Sequence, residues 1–170
     1  MGLHNLLEHK KANIVQKWFD RVIASYPPDS AQFLKSQKNQ FANPVGTTTQ
    51  KGLRAVYEAL QTEITPADLV PLLDPIIRIR AIQNFTPSKA LAFIPDLKKI
   101  IRSELSTELQ DFHLFKELSQ FELKIDELSL IAFEIYMACR ETIYELKVST
   151  EKNKIYSAFA RAGLISEASE

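Results

Sequence analysis

Cysteine occurs once in this chain, at Cys139, which excludes an intrachain disulfide and a cysteine-rich zinc site. Histidine occurs only at His4, His9 and His113, and none follows a glutamate with the Glu-x-x-His spacing that di-iron bundles use. Four isolated glycines cannot build a phosphate-cradling loop, and no Gly-x-Ser-x-Gly nucleophile turn is present. There is no excess charge of one sign: 21 basic residues balance 21 acidic ones, so the phosphate-neutralising surface of a nucleic-acid binder is not expected. No uncharged apolar run approaches the roughly 18 residues a membrane span needs. The opening stretch is interrupted by His4, Asn5, Glu8, Lys10 and Lys11, so no signal-peptide core forms. Gly2 is not followed by the Ser or Thr at position 6 that a myristoylation motif requires. These absences predict a cytoplasmic protein that is not an enzyme, holds no metal or cofactor and does not insert into a membrane.

What is present is material for a helical core. Hydrophobic residues make up 45% and charged residues 25%, the balance of one ordinary globular domain spanning residues 1–170. No segment alternates with period two for long enough to make a strand, so the expected class is all-α. Leu6, Leu7, Ile14, Trp18 and Val22 predict a first helix from about Leu3 to Ser25, stopped by Tyr26-Pro27-Pro28. Asp29 is the expected cap of a short second helix, and one of Thr47 to Thr49 the cap of a third running to about Gln61. Thr65-Pro66, Asp74-Pro75 and Thr86-Pro87 each pair a polar cap with proline at the first helical position. They predict a central isoleucine-rich helix over Pro75 to Phe85, and a helix from Pro87 to Leu105 bent at Pro95.

The last third is the most regular. Leu118, Phe121, Ile125, Leu128, Ala132, Ile135, Cys139, Thr142 and Leu146 recur at alternating spacings of three and four, an unbroken heptad seam. Leu130, Phe133, Met137 and Tyr144 form a second stripe beside it. The small residues at Ala132, Cys139 and Thr142 would admit another helix, so the seam is a candidate homodimer interface; the alternative is the longest helix of a monomeric bundle. A separate amphipathic stretch from Ile155 to Ala162 is expected to end at Gly163.

Arg78 and Arg80 interrupt the isoleucine-rich segment, and Arg140 follows Tyr136 by four on the long helix. A charge on a largely buried helix needs a partner, because an unpaired buried ion is expensive. Either these arginines bridge to Glu134, Glu141 or Asp126, or they line an anion or small-molecule pocket closed by Tyr136 and Phe85. Cys139, mid-helix and without a histidine nearby in sequence, reads as a structural thiol or a redox sensor. His113, between Phe112 and Leu114, is a polar or capping residue or the proximal ligand of a haem.

Several strings acquire meaning together: Gln16-Lys17-Trp18-Phe19-Asp20-Arg21, Tyr26-Pro27-Pro28, Phe41-Ala42-Asn43-Pro44-Val45-Gly46, Ile77-Arg78-Ile79-Arg80-Ala81-Ile82-Gln83-Asn84-Phe85-Thr86-Pro87-Ser88, Ala90-Leu91-Ala92-Phe93 and Phe133-Glu134-Ile135-Tyr136-Met137-Ala138-Cys139-Arg140-Glu141. In this order and spacing, from about Leu6 to Leu164, the chain resembles the N-terminal domain of the RsbRD family of RsbT co-antagonists. The resemblance implies a globin-like helical bundle without haem, with a long C-terminal helix, that receives a signal ahead of a STAS or other output domain. The 170 residues leave no room for a STAS domain, so the expected output is a separate protein partner. The resemblance carries no set of functional residues. The function it implies is a non-catalytic sensor or regulatory domain acting through protein contacts, with or without a small ligand. The competing readings are a haem- or cofactor-binding globin-like protein and an accessory protein of sulfite-reduction electron transfer.

Overall fold

Prolines mark the helix starts. α1 (Leu3–Ile23) is followed by α2 (Pro28–Ser36), α3 (Pro44–Leu60), α4 (Pro66–Ile82) and α5 (Pro87–Leu91), the last four each opening on a proline whose missing N–H leaves nothing unpaired. α6 (Phe93–Glu104), a 3-10 turn (Glu108–Gln110) and the 50-residue α7 (Phe112–Arg161) complete the order. The computed structural model describes residues 2–83 and 85–164, and no strand occurs among them. The fold is all-α with a long C-terminal helix.

Local chemistry corrects several expected boundaries. Asp29 is not a cap: α2 begins one residue earlier, at Pro28, and Asp29 sits in its first turn. The threonines are not caps either, because Asn43 accepts from Gly46 N–H at 2.9 Å and starts α3 ahead of them. Thr65 makes the expected start, in a capping box with Asp68. Pro75 does not begin a helix. α4 runs through both Pro71 and Pro75, held by Leu69, Leu73, Ile76, Ile77 and Ala81, all buried. The stretch from Pro87 to Leu105 breaks at Ala92 instead of bending at Pro95. Pro95 cannot donate to the Leu91 carbonyl, so the bond that would fuse α5 to α6 does not exist. The separate last helix does not exist as such: the heptad segment and Ile155 to Ala162 are one continuous α7. Gly163 ends it at φ 68°, its N–H on Ala160 O and the Leu164 N–H on Phe159 O, a Schellman closure.

The core forms where α4 lies along α7, with α3 beside α4 and α1 spanning α3 and α6. Trp18, fully buried on α1, donates from Nε1 to the Phe93 carbonyl at 2.7 Å; Tyr57 on α3 donates its hydroxyl to the Leu7 carbonyl at 3.1 Å. Arg102 on α6 grips Glu122 on α7 through two bonds of 2.6 and 2.7 Å. At the α1–α6 rim Glu104 pairs with Lys17 and accepts from Asn13; the Lys17 hydrogen bond holds its carboxyl below the usual range.

Asn43 is 2% exposed and binds the chain around it three times: to Gly46 N–H, to Leu34 O at 2.9 Å and to Gln37 O at 2.8 Å. Asn43→Ala removes the α3 cap and orphans two carbonyls, so it is expected to cost about 2–4 kcal/mol. A urea midpoint within error of the parent would show that these bonds are not holding α2 to α3.

Candidate functional site

Arg78 and Arg80 are two residues apart on one helix, so they leave it about 200° apart and cannot share a pocket. Arg78 is exposed and pairs with Asp74 one turn back, at 2.6 Å. Arg80 points inward and is 1% exposed, with no carboxylate partner among the described residues. Its Nε donates to Ala90 O at 2.6 Å, and its Nη2 to Lys89 O and Ser25 Oγ, each at 3.1 Å. Its guanidinium carbon lies 4.7 Å from the Phe85 ring, 5.5 Å from Phe93 and 5.7 Å from Tyr26. Nη1 is buried with no hydrogen-bond partner. Burial pulls the guanidinium's pKa down, opposed by Tyr26. The cation is therefore held by backbone carbonyls and ring faces in place of an anion.

Of the five residues expected to line a ligand pocket, Arg80 and Phe85 meet at one place, while Tyr136 and Arg140 are neighbours on α7 and Arg78 stands apart. Tyr136 is buried on α7, inside the core. Arg140 donates to the Ala81 carbonyl at 3.0 Å and to Tyr144 Oη at 2.8 Å, closing the exposed end of α4. None of the expected acid partners holds an arginine; Asp126 pairs with Lys98. Arg78 instead borders a small cavity of 180 Å³ with Asp74, Ile135, Cys139 and Thr142. Cys139 there is half-buried, and desolvation raises its thiol pKa, against the pull of Arg78.

A cavity of about 530 Å³ opens over Arg80, lined by Ser25, Tyr26, Pro27, Gln83, Phe85 and Lys89, with Ala24. Sequence reasoning missed Ser25, Tyr26, Gln83 and Lys89, because the turn after α1 and the start of α5 are brought together only through Arg80 of α4. Tyr26 and Phe85 stack edge to face at 5.5 Å, and Tyr26 donates to Gln83 Oε1 at 2.9 Å. A depression of about 950 Å³ between α1, α2 and α3 is lined mainly by amides and lysines. Its one buried polar side chain, Asn43, is committed to capping.

The heptad seam splits in two. Leu118, Phe121, Ile125, Leu128 and Ala132 are buried within the chain itself; Ile135 and Cys139 are half-buried, while Thr142 and Leu146 are exposed. A different face of α7 carries exposed Leu123, Leu130, Phe133, Met137, Tyr144, Val148, Ile155 and Phe159. All three histidines are exposed, with His113 in the first turn of α7 against Glu117 at 3.0 Å. Among the described residues no cluster of three metal-ligating side chains forms, and no helix is long and apolar enough to cross a membrane.

Residues 12–147 match the model of the RsbT co-antagonist protein rsbRD N-terminal domain, from mid-α1 to well along α7 and within the stretch of the sequence resemblance. An uncharacterized protein of Archaeoglobus fulgidus is 26% identical over 147 residues, which is 86% of each chain. No solved structure matches. With this match spanning most of its length, the chain belongs to the RsbT co-antagonist rsbRD N-terminal domain family.

Proposed function

We propose that this chain is a non-catalytic, cytoplasmic sensor domain that passes its signal through protein contacts made by α7, and that it works as a homodimer. Family membership supports the regulatory reading. The observation that carries the mode of contact is the spacing of the exposed stripe. Phe133, Met137, Tyr144, Val148, Ile155 and Phe159 follow one another at intervals of four, seven, four, seven and four. At 100° per residue they fall within about 80° of one another, centred about 125° around the helix from the buried face.

That series reads the same in both directions about Leu146. A second copy running antiparallel sets Phe133 against Phe159, Met137 against Ile155 and Tyr144 against Val148, each contact made twice, as a two-fold interface requires. Charge favours the same arrangement. Residues 126–145 carry five acids and one base, and residues 146–161 carry four bases and one acid. Among the described residues, Glu127, Glu134, Glu141 and Glu145 have no cation partner, nor do Lys147, Lys152 and Arg161 an acid. Antiparallel copies lay the acidic block of one along the basic block of the other; parallel copies would oppose like charges.

Light scattering tests it. The parent is expected at twice the chain mass, and Met137→Glu at the monomer mass with unchanged helix content. In Cys139→Ser chains, a cysteine replacing Met137 should link to one replacing Ile155, and neither to its own kind. A monomeric parent defeats the homodimer, and self-linking at both positions defeats the antiparallel orientation.

A further inference from the structure

We propose that the cavity over Arg80 is a binding site for a small organic carboxylate, its charge held at Lys89 and Gln83 and its apolar body laid against Phe85 and Pro27. The proposal supplies a ligand class for the sensor reading above and rests on that reading only for its biological meaning.

Four of the seven lining residues touch the Arg80 guanidinium, through the Ser25 hydroxyl, the Lys89 carbonyl, and the Phe85 and Tyr26 rings. The cavity is thus the mouth above a buried cation. That cation has no carboxylate partner among the described residues, and its Nη1 is unpaired and enclosed. A buried positive charge left uncompensated by the protein projects positive potential into the nearest opening, where low-dielectric walls preserve it. At the rim Lys89 adds a second cation, whose ammonium lies 5.5 Å from the Phe85 ring and makes no ion pair among the described residues. Among the described residues no acid lines the cavity; Asp29 belongs to the neighbouring depression, which shares Tyr26 and Gln83 with it.

Donors are available as well as charge. Tyr26 donates to Gln83 Oε1, which fixes the amide and leaves its N–H groups without a partner among the described residues. Lys89 contributes three further N–H donors. The remainder of the wall is apolar: Ala24, Pro27 and the faces of Tyr26 and Phe85. A fully hydrated inorganic ion gains little from such a wall. A carboxylate attached to a planar or branched apolar body uses both halves, and few polar groups in a largely apolar pocket is the usual composition of a small-molecule site.

The test is calorimetric titration at matched ionic strength with three probes: benzoate, its neutral counterpart benzyl alcohol, and inorganic phosphate. Two-dimensional amide spectra locate any binding. Benzoate is expected to saturate and to shift the amides of Ser25, Tyr26, Phe85 and Lys89, with the other two probes at least about tenfold weaker. Lys89→Glu, at an exposed position that leaves the core intact, should weaken benzoate by at least about tenfold, and Gln83→Leu should weaken it as well. Arg80→Met should abolish it if the variant folds; the Lys89 variant decides the matter if it does not. The proposal is overturned if benzoate binds no better than benzyl alcohol, if phosphate binds as tightly as benzoate, or if Lys89→Glu leaves benzoate binding unchanged. Repeating the titration on Met137→Glu separates this outcome from the state of assembly.

Discussion

Ala132→Glu is expected to unfold the domain, at a cost of at least about 4 kcal/mol, and not merely to separate two copies. Ala132 has no exposed surface and sits where α7 lies along α4, among Leu128, Ile125 and Tyr136. A glutamate there must displace packed side chains or bury a carboxylate in the apolar core. The contrast with Met137→Glu is the informative part. Met137 is on the far face of the same helix, so its glutamate stands in water in a single chain and meets apolar surface only across an interface. Urea denaturation of the two variants should separate them by several kilocalories per mole. Equal stabilities would mean that α7 does not pack on α4 through Ala132.

Trp18→Ala is expected to cost about 3–5 kcal/mol from the lost volume alone. The Phe93 carbonyl loses its donor in the same step, which adds about 1–3 kcal/mol if no water enters. Trp18 is wholly buried and lies 6.2 Å from the Phe93 ring, which in turn covers Arg80. The variant should therefore show both a large drop in thermal midpoint and a change in the amide signals of Ser25 and Lys89, which hydrogen-bond Arg80. A midpoint drop without those changes would separate the core from the floor of the cavity. Trp18→Phe, which keeps most of the ring volume, should recover the larger part of the loss.

The helical class and most helix starts were legible because proline and its polar neighbours act locally, within one turn. Three features were not legible. Pro75 resembles Pro66 and Pro87 in its immediate context, and only burial of the flanking leucines and isoleucines carries α4 through it. The heptad seam was read as an interface because spacing reveals that a face is apolar, not what covers it. Here the chain's own helices, α4 and α6 among them, cover the first half, and the stripe left uncovered is the one beside the seam. At the site, Arg78 and Arg80 looked equivalent, although a separation of two already places them on opposite sides of a helix. Ser25 and Lys89 carried no local signal at all, since α1 and α5 are more than sixty residues apart in the chain and joined by the Arg80 side chain.

The continuity of α7 has a mechanical meaning. Residues 144–161, all but one of them exposed, project as about 27 Å of unsupported helix at 1.5 Å per residue. Arg140, gripping the Ala81 carbonyl, fastens that arm to the end of α4. A rotation of a few degrees at this fulcrum carries the tip through ångströms, enough to change which side chains meet across a two-fold contact. The fulcrum residue Ala81 directly follows Arg80, so the charge beneath the cavity and the pivot of the arm are neighbours on one turn of helix.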